Sequence, residues 1–97
     1  MQKNATILIV EKSKVFASLL KEMSEGLGFV VSVCATGSEA VSLAKKTNYD
    51  LICVGYYLTD MTAETFCQQF RLLPKVKNAR ILLLTAEEDQ GLLRNAL

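Results

Sequence analysis

Short apolar runs alternating with helix-period stretches predict an α/β domain, a parallel sheet with helices on both faces. Three observations carry this. Ile7-Leu-Ile-Val10, Leu51-Ile-Cys-Val54 and Ile81-Leu-Leu-Leu84 are unbroken apolar runs of strand length, as expected of strands buried on both faces. Between them, apolar residues recur at helical spacing with charges opposite. The connections are short, so each strand–helix–strand unit should be a right-handed crossover.

In order, the first strand spans Ile7 to Val10 and stops at Glu11-Lys12-Ser13. Val15, Phe16, Leu19, Leu20, Met23 and Leu27 then form the apolar stripe of a first helix, with Lys14, Lys21, Glu22 and Glu25 on its other side. Gly26 and Gly28 bracket its end. Phe29 to Val33 reads as a second strand. Thr36-Gly-Ser-Glu39 is a capping box, and the helix it opens carries Ala40, Val41, Leu43 and Ala44 and closes on Lys45-Lys46. Leu51 to Val54 is the third strand. Thr62 caps a third helix whose stripe is Phe66, Cys67, Phe70 and Leu73, and Pro74 stops it. Ile81 to Leu84 is a fourth strand, again buried on both faces, and Glu87-Glu-Asp89 opens a last helix bearing Leu92, Leu93, Ala96 and Leu97.

Composition narrows the function classes. Ninety-seven residues allow one domain, and half of them are apolar, enough for a core. Eleven basic and ten acidic residues leave a net charge of +1 without a Lys/Arg cluster, which argues against a nucleic-acid surface. No apolar run approaches the roughly 20 residues of a membrane span, and the cytosol is the expected compartment. Histidine is absent, which removes imidazole-based triads and general-base schemes. Cys34, Cys53 and Cys67 are widely spaced inside apolar patterns and read as reduced core thiols, not as metal ligands. No cofactor is expected. A nucleotide- or flavin-binding domain of the same class is the rival, but Glu11-Lys-Ser-Lys14 offers no Gly-x-Gly turn for phosphates.

In an open α/β sheet, chemistry belongs at the carboxyl ends of the strands, here Glu11-Lys12, Gly55 and Thr85. Five stretches in order and spacing, Ile7-Leu-Ile-Val-Glu11, Thr36-Gly-Ser-Glu-Ala40, Tyr49-Asp-Leu-Ile52, Leu58-Thr-Asp-Met61 and Ile81-Leu-Leu-Leu-Thr-Ala86, make the chain resemble the receiver domains of two-component response regulators over essentially its whole length. The resemblance implies a three-layer, flavodoxin-like sheet of order 2-1-3-4. It also implies a pocket in which an acidic pair and a strand-end aspartate hold Mg²⁺ and accept a phosphoryl group, assisted by a strand-end hydroxyl. Carried over, the acidic pair is Glu11 and Lys12, the acceptor position is Gly55 and the hydroxyl is Thr85.

The departures decide the expectation. Gly55 has no carboxylate, and Glu11 beside Lys12 sums to zero charge where the family supplies several negative ones, so no metal is expected. Lys12 is expected to reach into the vacated pocket and pair with Glu11. Asp60 and Asp50 stand in the wrong places to substitute as acceptors. The resulting reading is a phosphorylation-independent pseudo-receiver, not an enzyme, that works by binding protein partners. Tyr56-Tyr57 either pack back onto the domain or form a contact surface. The family's fifth strand and fifth helix have no counterpart in the sequence. Three explanations compete: a naturally short receiver completed by docking on a partner or by dimerisation through the fourth strand (Ile81, Leu83) and the last helix (Leu92, Leu93), a piece of a longer regulator, or four strands with a remodelled edge; self-association is the favoured one.

Overall fold

A computed structural model of the chain describes residues 4–76 and 78–84. Seven elements follow one another: β1 (Thr6–Val10), α1 (Lys14–Gly26), β2 (Val30–Cys34), α2 (Gly37–Lys46), β3 (Leu51–Gly55), α3 (Ala63–Phe70) and β4 (Arg80–Leu84). All strand pairs are parallel, and the sheet runs β2-β1-β3-β4. The fold class and strand order agree with the sequence reading. The expected last helix, with Leu92 and Leu93, lies outside the described residues, as does Thr85.

Strand alternation sorts the core into two layers. Leu8, Val10, Ile52 and Val54 face α2 and α3, where Phe66 and Phe70 are fully buried with their rings 4.8 Å apart. Ile7, Ile9 and Cys53 point the other way, toward α1. The helix starts follow local chemistry. Ser13, Thr36 and Thr62 each accept a hydrogen bond from a first-turn N–H, those of Phe16, Glu39 and Thr65. At Thr36 the reciprocal half of the expected capping box differs, because the Thr36 hydroxyl itself donates to Glu39 Oε1 at 3.1 Å. Gly28 takes φ 94°, the left-handed geometry that releases the chain from α1 into β2.

The α1 stripe is largely unburied: Val15, Leu19, Met23 and Leu27 are exposed, and the helix meets the sheet through the buried Ala17 and the partly buried Leu20. Periodicity identified the helix but not how much of its apolar face finds a partner. Two expectations, on α3 and β4, need correction. α3 ends at Phe70, ahead of Pro74, because the Leu72 and Leu73 N–H groups turn back to the Gln69 and Phe70 carbonyls, and Arg71 Nη1 donates to the Ala79 carbonyl at 2.9 Å. β4 is not doubly buried. Among the described residues it is an edge of the sheet, as the order 2-1-3-4 implies, and Leu82 and Leu83, on opposite faces, are 51% and 47% exposed.

Candidate functional site

The register pairs Val10 with Val54, which brings the residue after β1 beside the last residue of β3. By the same alternation Glu11 falls on the side of the sheet that Gly55 occupies, and Lys12 on the other. Glu11 extends the ladder through its N–H to the Cys34 carbonyl at 3.0 Å, and its side chain turns inward. A Cβ placed on Gly55 would stand 2.6 Å from Glu11 Oε1 and 3.4 Å from its Cδ. The Glu11 carboxylate therefore fills the space where a side chain at position 55 would begin. Its other oxygen, Oε2, accepts the Ser13 N–H at 2.6 Å, and the Ser13 hydroxyl caps α1 by accepting from Phe16 N–H at 3.3 Å. A single carboxylate thus links the ends of β1 and β3 to the first turn of α1.

Lys12 does not enter this pocket. It is exposed and forms no ion pair among the described residues. The expected Glu11–Lys12 pair is replaced by the shorter, charge-assisted bond from Ser13, which is two residues away and needs no long side chain to be ordered. The residues present do not suit Mg²⁺. Gly55 brings no oxygen, Glu11 is engaged on both sides, and among the described residues no three His, Cys, Asp or Glu side chains converge.

The loop after β3 is braced from several sides. Tyr57 and Thr62 form an antiparallel bridge, the Leu58 N–H donates to the Met61 carbonyl at 3.1 Å, and the Ala63 N–H to the Tyr56 carbonyl at 2.9 Å. Asp60 ties the turn to α2. Its Oδ1 accepts the Gly37 N–H at 2.9 Å, and its Oδ2 accepts the Ser38 N–H at 3.0 Å and the Ser38 hydroxyl at 2.8 Å. These bonds, the Gly37 N–H foremost, hold the Asp60 carboxyl below its ordinary range. Met61 packs so closely on α2 that a Cβ on Gly37 would lie 2.7 Å from its Cγ. Asp60 therefore serves as a second, distant cap on α2. The sequence marks Thr36 as the cap but carries no local signal for a partner in another loop.

The two tyrosines divide the roles left open by the sequence. Tyr56 is half-buried against the α2/α3 core, and its hydroxyl donates to Glu64 Oε1 at 3.3 Å. Tyr57 is 52% exposed, with its ring 4.8 Å from that of Tyr56 at 77°. Of the other candidate surface residues, Ile81 is half-buried and Leu83 exposed. An open cleft of about 430 Å³ runs between α1 and the end of β2, with Lys14 and Lys21 on one wall and Glu39 on the other. Cys34 borders it, but burial, then the charges of Glu39 and Asp60, push its thiol up to about 12, and burial raises Cys53 and Cys67 as well. None offers a thiolate at neutral pH.

Comparison with known proteins agrees with this architecture. The family described as response regulator receiver domain matches residues 7–97. The signal transduction histidine-protein kinase BarA of Shigella flexneri is 26% identical over 86 residues, 89% of this chain. The chain spans only 9% of that kinase. A CheY-like response regulator receiver domain from Methylobacillus flagellatus superposes with a TM-score of 0.83 at 25% identity, covering 90% of this chain and 74% of the other. The receiver domain of a sensor histidine kinase from Pseudomonas aeruginosa, with magnesium ion coordinated in its active site cleft, gives a TM-score of 0.83 at 27% identity over 95% of this chain and 75% of that one. With sheet order and family match in agreement, the chain belongs to the response regulator receiver domain family.

Proposed function

We propose that this chain is a phosphorylation-independent pseudo-receiver, a cytoplasmic protein–protein interaction module of bacterial two-component-type signalling. One observation carries the reading. The Glu11 carboxylate occupies the space over Gly55 from which a phosphoacceptor side chain would project. Acyl-phosphate formation needs a carboxylate free to attack in line, and Glu11 is engaged by Ser13 on one oxygen and packed on Gly55 with the other. Asp60 is committed to the α2 N-terminus, and Asp50 binds the Thr6 N–H at the opposite end of β3. The domain then works as one fixed surface read by a protein partner, with no catalytic step. Incubation with acetyl phosphate and Mg²⁺, followed by intact mass, tests this. An unmodified mass is expected, while a phosphoryl adduct overturns the reading.

The half-exposed leucines on both faces of β4 favour a homodimer closed at that edge, with Ile81, Leu83, Leu92 and Leu93 as the contact residues. Light scattering over a wide concentration range should show a dimer, and Leu83→Lys should shift it to monomer. The small share of the Shigella kinase that the chain spans supports a second reading, in which the receiver is one module of a longer regulator. Sequencing past the codon for Leu97 decides between them.

A further inference from the structure

The β3–α3 turn combines three properties that do not depend on phosphorylation. It is rigid, because the Tyr57–Thr62 bridge, the Leu58–Met61 bond and the three bonds accepted by Asp60 fix it from both sides. It exposes one large side chain, the Tyr57 ring, whose edge-to-face contact with Tyr56 fixes its orientation. Its charge has one sign. From Thr47 to Phe70 the sequence contains no Lys or Arg, and it carries Asp60 and Glu64, both exposed, around the turn.

We propose that this turn is a docking ridge for a partner segment that presents an arginine side chain, received by the Tyr57 ring within the acidic field of Asp60 and Glu64. A cation over a tyrosine ring is attracted by its quadrupole, and a guanidinium also stacks and sheds its hydration more readily than an ammonium. Asp60 faces the turn while bonded to α2, and the Glu64 carboxylate accepts from the Tyr56 hydroxyl beside the Tyr57 ring. An apolar partner fits less well. The single exposed ring is flanked by the exposed Thr59, Thr62 and Thr65, and burying those hydroxyls under an apolar surface would leave them unpaired. A braced turn also loses little freedom on binding, so the contact is preorganised. The inference rests on the reading of the chain as an interaction module and not on the state of its pocket.

The experiment is a titration of the isotope-labelled full chain with a short arginine-rich peptide, followed by amide chemical shifts, in parallel with lysine and citrulline peptides of the same length. The arginine peptide should move Tyr57, Thr62 and Glu64 first, bind more tightly than the lysine peptide, and lose binding when citrulline replaces arginine. Tyr57→Ala should weaken it about two- to fivefold, the range of an exposed cation–π contact, and Tyr57→Phe should leave it unchanged. If Tyr57→Ala does not fold, Glu64→Gln provides the second variant and should also weaken binding. Equal binding by Tyr57→Ala, equal binding of lysine and arginine peptides, or shifts confined to other faces overturn the proposal. A phosphoryl adduct in the acetyl phosphate experiment would remove the pseudo-receiver reading and leave this result standing.

Discussion

The Gly37 N–H donates to Asp60 Oδ1 at 2.9 Å across 23 residues of chain, so the turn after β3 is tied directly to the first turn of α2. The carboxylate does for α2 what a local cap does, but from another loop. Asp60→Ala should cost about 1 kcal/mol, the usual value of a lost cap, in urea denaturation. It should also increase hydrogen exchange at both Gly37 and Leu58, since neither end of the tie holds alone.

The same tie gives a pH signature with a definite sign. Asp60 titrates lower in the folded chain than in the unfolded one. Its contribution is therefore complete above the ordinary aspartate range near 3.9 and is lost as pH falls through the depressed folded value. Comparing acid unfolding of the native chain with Asp60→Asn should show a stability difference that shrinks below about pH 4. A difference that grows on acidification would contradict the assignment.

Gly37 is expected to invert a general rule. In a helix, Gly→Ala normally stabilises by about 0.5–1 kcal/mol. Here the added methyl meets Met61, so Gly37→Ala should destabilise by about 1–2 kcal/mol, and the sign should reverse in a Met61→Ala background. Thermal or urea midpoints of the four proteins give the coupling directly.

Gly55 and Glu11 form a second such cycle. The atom that a Cβ on Gly55 would meet is the tip of a flexible side chain, so Gly55→Ala should displace Glu11 and not distort the sheet. The expected cost is about 1 kcal/mol, from the lost bond to Ser13, and should vanish when Glu11 is already Ala. A large cost in both backgrounds would mean that backbone, not Glu11, crowds the position.

Thiol chemistry should follow burial. At pH 8, alkylation should reach the half-buried Cys67 first, and Cys34 should react only on unfolding, because its thiol stays protonated to about 12. Peptide mapping after timed labelling checks the order.

Much of the fold could be read from periodicity alone. The apolar runs at Ile7, Leu51 and Ile81 located three strands, the Thr36 and Thr62 caps located two helix starts, and the strand ends brought Glu11 and Gly55 together. Strand alternation, carried one residue past Val10, also places Glu11 on the face of Gly55 and Lys12 on the opposite one. The signal was present, but the expected attraction between opposite charges hid it. Burial was harder to read. The order 2-1-3-4 already makes β4 an edge, yet its unbroken apolar run reads as buried on both faces, and the α1 stripe does not say which of its residues find a partner. The Asp60 tie was invisible because nothing near Asp60 in the sequence refers to Gly37.

Fourteen of the described buried residues belong to one cluster, which joins β1 and β3 to α2 and α3 through Phe66 and Phe70. Since opening free energy follows buried apolar contact, the amides of these four elements should exchange together and late. Leu58 and Ala63 lie in that cluster and Met61 packs on it, so the loop braced by Asp60 and by the Tyr57–Thr62 bridge is anchored to it on both sides. The surface turn therefore borrows its persistence from the core beneath it.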